Sequence, residues 1–141
     1  MRQAAAFLAL LLLAGCDFGA THVAGPFYLM WIDIYEDMAL YRCPDGPDDG
    51  VGCAVDGLPD GTVFAAGADS GHIVVARHPR SNNVTNRSVT QYFYFARIPQ
   101  ETKGWGNNPE KIIGPLTQAE FEVASTTNHL PPLSIVLDDL K

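Results

Sequence analysis

Three cysteines, four histidines and 16 carboxylates are the side chains of this 141-residue chain best suited to chemistry. Metal-assisted, nucleophilic and acid–base reactions need them at particular spacings. His72 and His78 stand six apart in "HIVVARH". On a strand they share a face with Val74 and Ala76, but their Cα atoms then lie about 20 Å apart, too far for one metal ion. His22 and His129 have no partner at ligand spacing. "DGPDDG" gathers Asp45, Asp48 and Asp49. A calcium loop of the EF-hand type needs acidic residues at alternate positions and a closing glutamate, so this stretch reads as a solvated turn. No metal or cofactor is expected.

Ser70, in "ADSGH", resembles the nucleophile segment "GDSGG" of chymotrypsin-like proteases, but Ala68 and His72 replace the flanking glycines. A serine nucleophile needs a base held by a third group, and nothing in the sequence turns His72, in the adjoining strand, back onto Ser70. The segment reads as a hairpin turn, and the chain is expected not to be an enzyme. Arg77 and Arg97 each follow an apolar run and need a carboxylate or a ligand anion. Asp33 is their natural partner. The three are read as an ion pair at a sheet margin or as the floor of a polar pocket. Trp105, in "KGWGNNP", is either an interface anchor or a lid folded back on the core.

The cysteines divide unequally. Met1, Arg2 and Gln3 precede an apolar run, residues 4–14, that is shorter than the roughly 20 residues of a membrane span. It has the form of a secretory signal. It ends in "LAGC", which resembles the bacterial lipobox. The resemblance implies cleavage before Cys16 and diacylation, palmitate among the chains, of the Cys16 thiol. Each buried acyl CH2 contributes about 0.8 kcal/mol, enough for several chains to hold a domain on a bilayer. Asp17 resembles the inner-membrane retention signal of enteric-type bacteria; elsewhere the rules differ, and the leaflet stays open. Cys43 and Cys53 remain, and in an oxidising envelope they can form a disulfide; two free thiols are the alternative. Such a bond would close a Pro-, Gly- and Asp-rich loop and contribute about 2–3 kcal/mol.

The expected organisation is a signal peptide at 1–15, a lipidated cysteine and tether at 16–25, and one globular domain at 26–141. Without residues 1–15, eight Lys and Arg remain against 16 Asp and Glu, a net charge of −8. Such a surface repels nucleic acid and suits a basic protein partner.

"PFYLMWIDIY", residues 26–35, is apolar on both alternate faces and reads as a strand covered on both sides. "MALYRC" follows it as a second strand. "TVFAAGADSGHIVVARHP" reads as a hairpin around "ADSG". Residues 80–88 form a polar loop, and "VTQYFYFARI", 89–98, is the clearest strand. Ile112 and Ile113 suggest an edge strand. Thr117 and Glu120 form a capping box opening a helix that Asn128 ends, with Phe121, Val123 and Ala124 as its apolar stripe. "LSIVL" closes the chain as a strand. The fold class is α+β: an antiparallel sheet of about five to seven strands with one C-terminal helix packed on it. A closed or half-closed barrel is the alternative.

The segments "GPFYL.WIDI", "HIVVARHP", "QYFYFARI" and "IIGPLTQAEFE" resemble small bacterial envelope lipoproteins of a family without an assigned function. Some lipoproteins of this size are immunity proteins or enzyme inhibitors. The resemblance implies a lipid-anchored, non-enzymatic envelope protein, tied to the membrane through Cys16, with its domain in the periplasm. A protein partner is the first expectation, and small-ligand binding or envelope assembly is the alternative.

Overall fold

The computed structural model describes residues 19–47, 53, 58–98 and 111–141. The fold is α+β, with antiparallel strands in three sheets and one α-helix. The first sheet has the order β1(Ala20–Ala24), β2(Phe27–Met30), β3(Ala39–Arg42). The second places β10(Ile135–Val136), β4(Thr62–Ala68), β5(His72–His78), β8(Gln91–Ala96) and β9(Ile113–Leu116) side by side. Both orders are linear, so the sheets are open rather than a closed barrel. A ribbon of β6(Arg80–Ser81) and β7(Val84–Thr85) stands apart from them.

The register decides what each face buries. Phe27 pairs with Arg42 and Leu29 with Leu40, which puts those four on one face of the first sheet. Ile73 pairs with Phe95 and Val75 with Phe93 on one face of the second. These residues, Arg42 apart, form a single buried cluster, with Phe27 and Phe95 ring centroids 5.4 Å apart. The sheets therefore pack face to face. The opposite face of the second sheet, with Val74, Ala76, Tyr92 and Tyr94, carries α1(Gln118–Asn128) and the C-terminal segment. Gly67 lets that segment approach β4: an added Cβ there would sit 1.8 Å from the Pro132 carbonyl oxygen.

The outer face of the first sheet is also covered, by a different device. Tyr28, Met30, Ala39 and Tyr41 alternate with the inner residues and pack with Cys43 and Cys53 in a second cluster. Cys43 and Cys53 form a disulfide. Their sulfurs lie 3.5 and 3.8 Å from Met30 Sδ, and the Cys43 N–H donates to the Pro26 carbonyl at 2.6 Å. The disulfide is thus part of a buried cluster and does more than close a loop. Burial, followed by the charge of Asp60, raises the Tyr41 phenol above its ordinary value.

Several sequence expectations are corrected. The tether expected over 16–25 already contains β1, which pairs with β2 from Ala20 onward. The strand expected over 26–35 stops at Met30; bends follow, then a 3-10 turn at Tyr35–Asp37. Consequently Ile32 and Ile34 are exposed rather than covered. The polar loop over 80–88 contains the β6–β7 ribbon, whose Asn82 and Asn83 both have positive φ, as a type I′ hairpin requires.

The edge strand runs through Gly114 and Pro115 instead of ending before them. An added Cβ at Gly114 would lie 2.5 Å from Phe93 and 2.7 Å from the Tyr92 carbonyl oxygen. The helix has the expected capping box and a left-handed His129 at its C-cap. Val123, expected on its apolar stripe, is exposed. Phe121 holds the helix by stacking on Tyr92, centroids 4.8 Å apart.

Candidate binding cleft

The structure does not bring Arg77, Arg97 and Asp33 together. Arg77 pairs with Gln91 at one end of the β5–β8 ladder, and Arg97 follows the other end, where His72 pairs with Ala96. At strand rise the two ends are roughly 17–20 Å apart. Arg77 donates from Nε to Gln91 Oε1 at 3.1 Å and from Nη1 to the Asp60 carbonyl, and its guanidinium lies 5.0 Å over the Phe93 ring. Burial pulls it below the ordinary arginine value, while Asp60 opposes that shift. It acts as a strut between the 58–61 turn and β8.

Arg97 donates from Nη1 to the Asp69 carbonyl at 3.0 Å, and its N–H to the Gly71 carbonyl at 2.8 Å. Asp33 is exposed in the bend after β2. Arg80 of the β6–β7 ribbon forms an ion pair with Asp37 of the 3-10 turn.

Ser70 lies in the β4–β5 turn, as expected. Asp69 organises that turn, its Oδ1 accepting from the Gly71 and His72 N–H groups, each at 2.7 Å. These two bonds, then His72 and Arg97, hold the Asp69 carboxyl below its ordinary range. Gly71 does not take positive φ, so the turn is made by the carboxylate rather than by glycine freedom. Cys16, Trp105, Asp48 and Asp49 lie outside the described residues. Among the described residues no group of three His, Cys, Asp or Glu side chains is placed to hold a metal ion.

A site absent from the sequence expectations lies on the other face of the second sheet. The β4–β5 register slips between Val63 and Ala65. A bulge of this kind re-aims a side chain, and here Phe64 stacks on His78, centroids 4.5 Å apart at 24°. The two rings form part of the wall of a cleft of about 350 Å³, which Ala65, Thr90, Tyr92, Leu133, Val136 and, as its charged member, Lys141 also line. Tyr92 is held from behind by Phe121 of the helix. The cleft thus depends on a bulge, a helix and the C-terminal segment, which meet only in the folded chain.

His78 is the polar centre of this wall, with 4% of its surface exposed. Its Nδ1 is 2.8 Å from the Val89 carbonyl oxygen. A carbonyl accepts and does not donate, so Nδ1 carries a proton. In the neutral ring Nε2 is then the acceptor. Nε2 is buried and has no hydrogen-bond partner among the described residues. Such a group costs about 1–3 kcal/mol unless something satisfies it.

Sequence reasoning weighed His78 solely as a metal ligand. The usable signal in the sequence is a histidine in register with the apolar Val74 and Ala76, just before Pro79. Comparison with protein-family models, with curated proteins and with solved structures gives no match to this chain.

Proposed function

We propose that this chain is a lipid-anchored bacterial envelope protein, held through Cys16 with its domain in the periplasm, that binds a small, mainly apolar ligand in the His78 cleft. The function is binding and not catalysis. The observation that carries this reading is that His78 lines a cavity and has a buried Nε2 without a hydrogen-bond partner among the described residues. The cavity sits at the low end of the roughly 300–1,000 Å³ range of small-molecule sites, which are apolar with a few orienting polar groups. Phe64, Tyr92, Leu133 and Val136 supply the apolar walls. The matching ligand has a flat apolar body and one N–H or O–H donor for Nε2.

Phenol has both features, and toluene lacks the donor. Phenol is expected to bind more tightly than toluene, and His78→Phe to remove the difference, about 1 kcal/mol or roughly fivefold in affinity. Titration followed by the aromatic resonances of Phe64 and Tyr92 measures it. Equal binding of the two probes, or no response at either ring, would refute the site.

A second reading, a protein partner for an inhibitor or immunity-type role, is favoured by the net charge of −8 after signal removal. It predicts capture of a basic envelope protein at low salt and its release as salt screens the contact. Empty capture at low salt would remove it.

A further inference from the structure

The exposed isoleucines of the bend after β2 carry an inference that rests on the lipid-anchored reading. Ile32 and Ile34 are 57% and 46% exposed, although both were expected inside a covered strand. They flank Asp33, and two aromatics bracket them: Trp31 and Tyr35, packed edge to face with centroids 6.2 Å apart. Trp and Tyr beside exposed aliphatics is the composition of membrane–water interfaces.

The position of the bend matches its composition. β1 starts at Ala20, opposite Met30, the last residue of β2. The chain therefore enters the first sheet at the same end from which the bend leaves it. An added Cβ at Gly19 would lie 3.2 Å from Trp31 Nε1, so the start of the domain lies against the bend. Three Cα steps separate Gly19 from Cys16, at most about 11 Å. Acyl chains on Cys16 would hold this end, and no other, within reach of the headgroups.

The ribbon belongs to the same end. Arg80 pairs with Asp37, and the Thr62 hydroxyl contacts both the Glu36 carbonyl, at 2.8 Å, and the Thr85 hydroxyl, at 2.7 Å. Val84 of that ribbon is a third exposed aliphatic.

We infer that the 31–35 bend is a second membrane contact, in which Ile32 and Ile34 enter the interface of the bilayer to which Cys16 is anchored. The depth is bounded by Asp33. A carboxylate is expensive in hydrocarbon, so Asp33 stays at headgroup level and the isoleucines enter about 5–10 Å, as interfacial elements do. Asp33 and Glu36, both exposed, favour a zwitterionic surface over an anionic one. The contact fixes orientation, with the strand ends at Met30 and Ala39 toward the lipid.

The test uses the mature lipidated protein carrying Trp105→Phe, which leaves Trp31 as the one tryptophan. It is reconstituted into phosphatidylcholine vesicles with or without bromine on the acyl chains. Flotation reads the anchor, and Trp31 emission reads the bend. The expected result is flotation with about a twofold loss of Trp31 emission in lipids brominated near the headgroup, and a smaller loss with bromine near the chain end. Ile32→Ser with Ile34→Ser, at exposed positions, should keep flotation and relieve most of the quenching. Flotation without quenching, or with quenching unchanged in the double variant, overturns the membrane contact and leaves the anchor standing. Failure to float overturns the anchor, and the contact falls with it.

Discussion

The two faces of the first sheet are buried by different means. The inner face, with Phe27, Leu29 and Leu40, meets Val75, Phe93 and Phe95 across the sandwich, so each side chain has many apolar neighbours. Among the described residues no second sheet covers the outer face. Met30, Ala39 and Tyr41 are covered by a disulfide whose Cys43 is 1% exposed, with Tyr28 at the margin. Packing supplies redundancy: a lost contact is shared among neighbours. A covalent cover supplies none, because its removal opens the whole cluster. The difference shows how a short sheet near the start of a small domain has both faces covered without a larger core.

The largest expected effect is on the inner face. Phe95→Ala removes a fully buried ring that packs at a tilt against Phe27. It should cost about 3–5 kcal/mol, a large share of the stability of a domain this size. Urea unfolding checks it, and a loss below about 1 kcal/mol would mean that the two sheets do not pack as described.

Next is the outer face. Cys43→Ser with Cys53→Ser removes a cross-link over a sequence separation of 10 and sets two hydroxyls in an apolar cluster. The expected loss is about 3–4 kcal/mol, above the 2–3 kcal/mol of a bond that merely closes a solvated loop. Inner-face Phe resonances should persist while Met30 and Tyr41 resonances shift. Equal perturbation of both clusters would erase the distinction between them.

The helix is remote from both faces and sharpens the contrast as a control. Thr117→Ala deletes the cap that accepts from the Glu120 N–H. About 1 kcal/mol is expected, seen as faster amide exchange in the first turn with Tyr41 and Phe95 unaffected.

The smallest effect is alkaline. Tyr41 has its folded pKa raised above the ordinary 10.0, so the neutral phenol is favoured in the folded state. Its contribution is complete below pH 10 and is lost as pH rises through the folded value. Stability should therefore decline on the alkaline side. The double cysteine variant should bring the Tyr41 titration back toward 10, readable from tyrosinate absorbance.

Legibility in the sequence followed the range of the interactions. The capping box and the place of the β4–β5 hairpin are local, set by residues within three positions, and both were readable, although the hairpin is made by the Asp69 carboxylate and not by the glycine freedom that "DSG" suggests. So was the α+β class, because alternation in "QYFYFA" and "HIVVAR" is a property of each strand alone. The pairing of Arg77 and Arg97 with Asp33 that the sequence suggests fails, since it depends on which strand ends meet. The antiparallel register puts the two arginines at opposite ends. The disulfide was anticipated, but its burial against Met30 was not, because Met30 and Cys43 meet through the β2–β3 pairing. The cleft was hidden for the same reason: Phe64 faces His78 because of a bulge, and a bulge has no signature in "TVFAA".

The ligand site at His78 is tested most directly by the side-chain nitrogen signals of that histidine during a phenol titration. The tautomer with Nδ1 protonated and Nε2 as acceptor should be present at the start. Phenol should shift Nε2 while leaving Nδ1 tied to Val89, and toluene should leave both unchanged. An Nε2 that is protonated at the outset in the neutral ring, or one that does not respond to phenol while other parts of the domain do, would contradict the site.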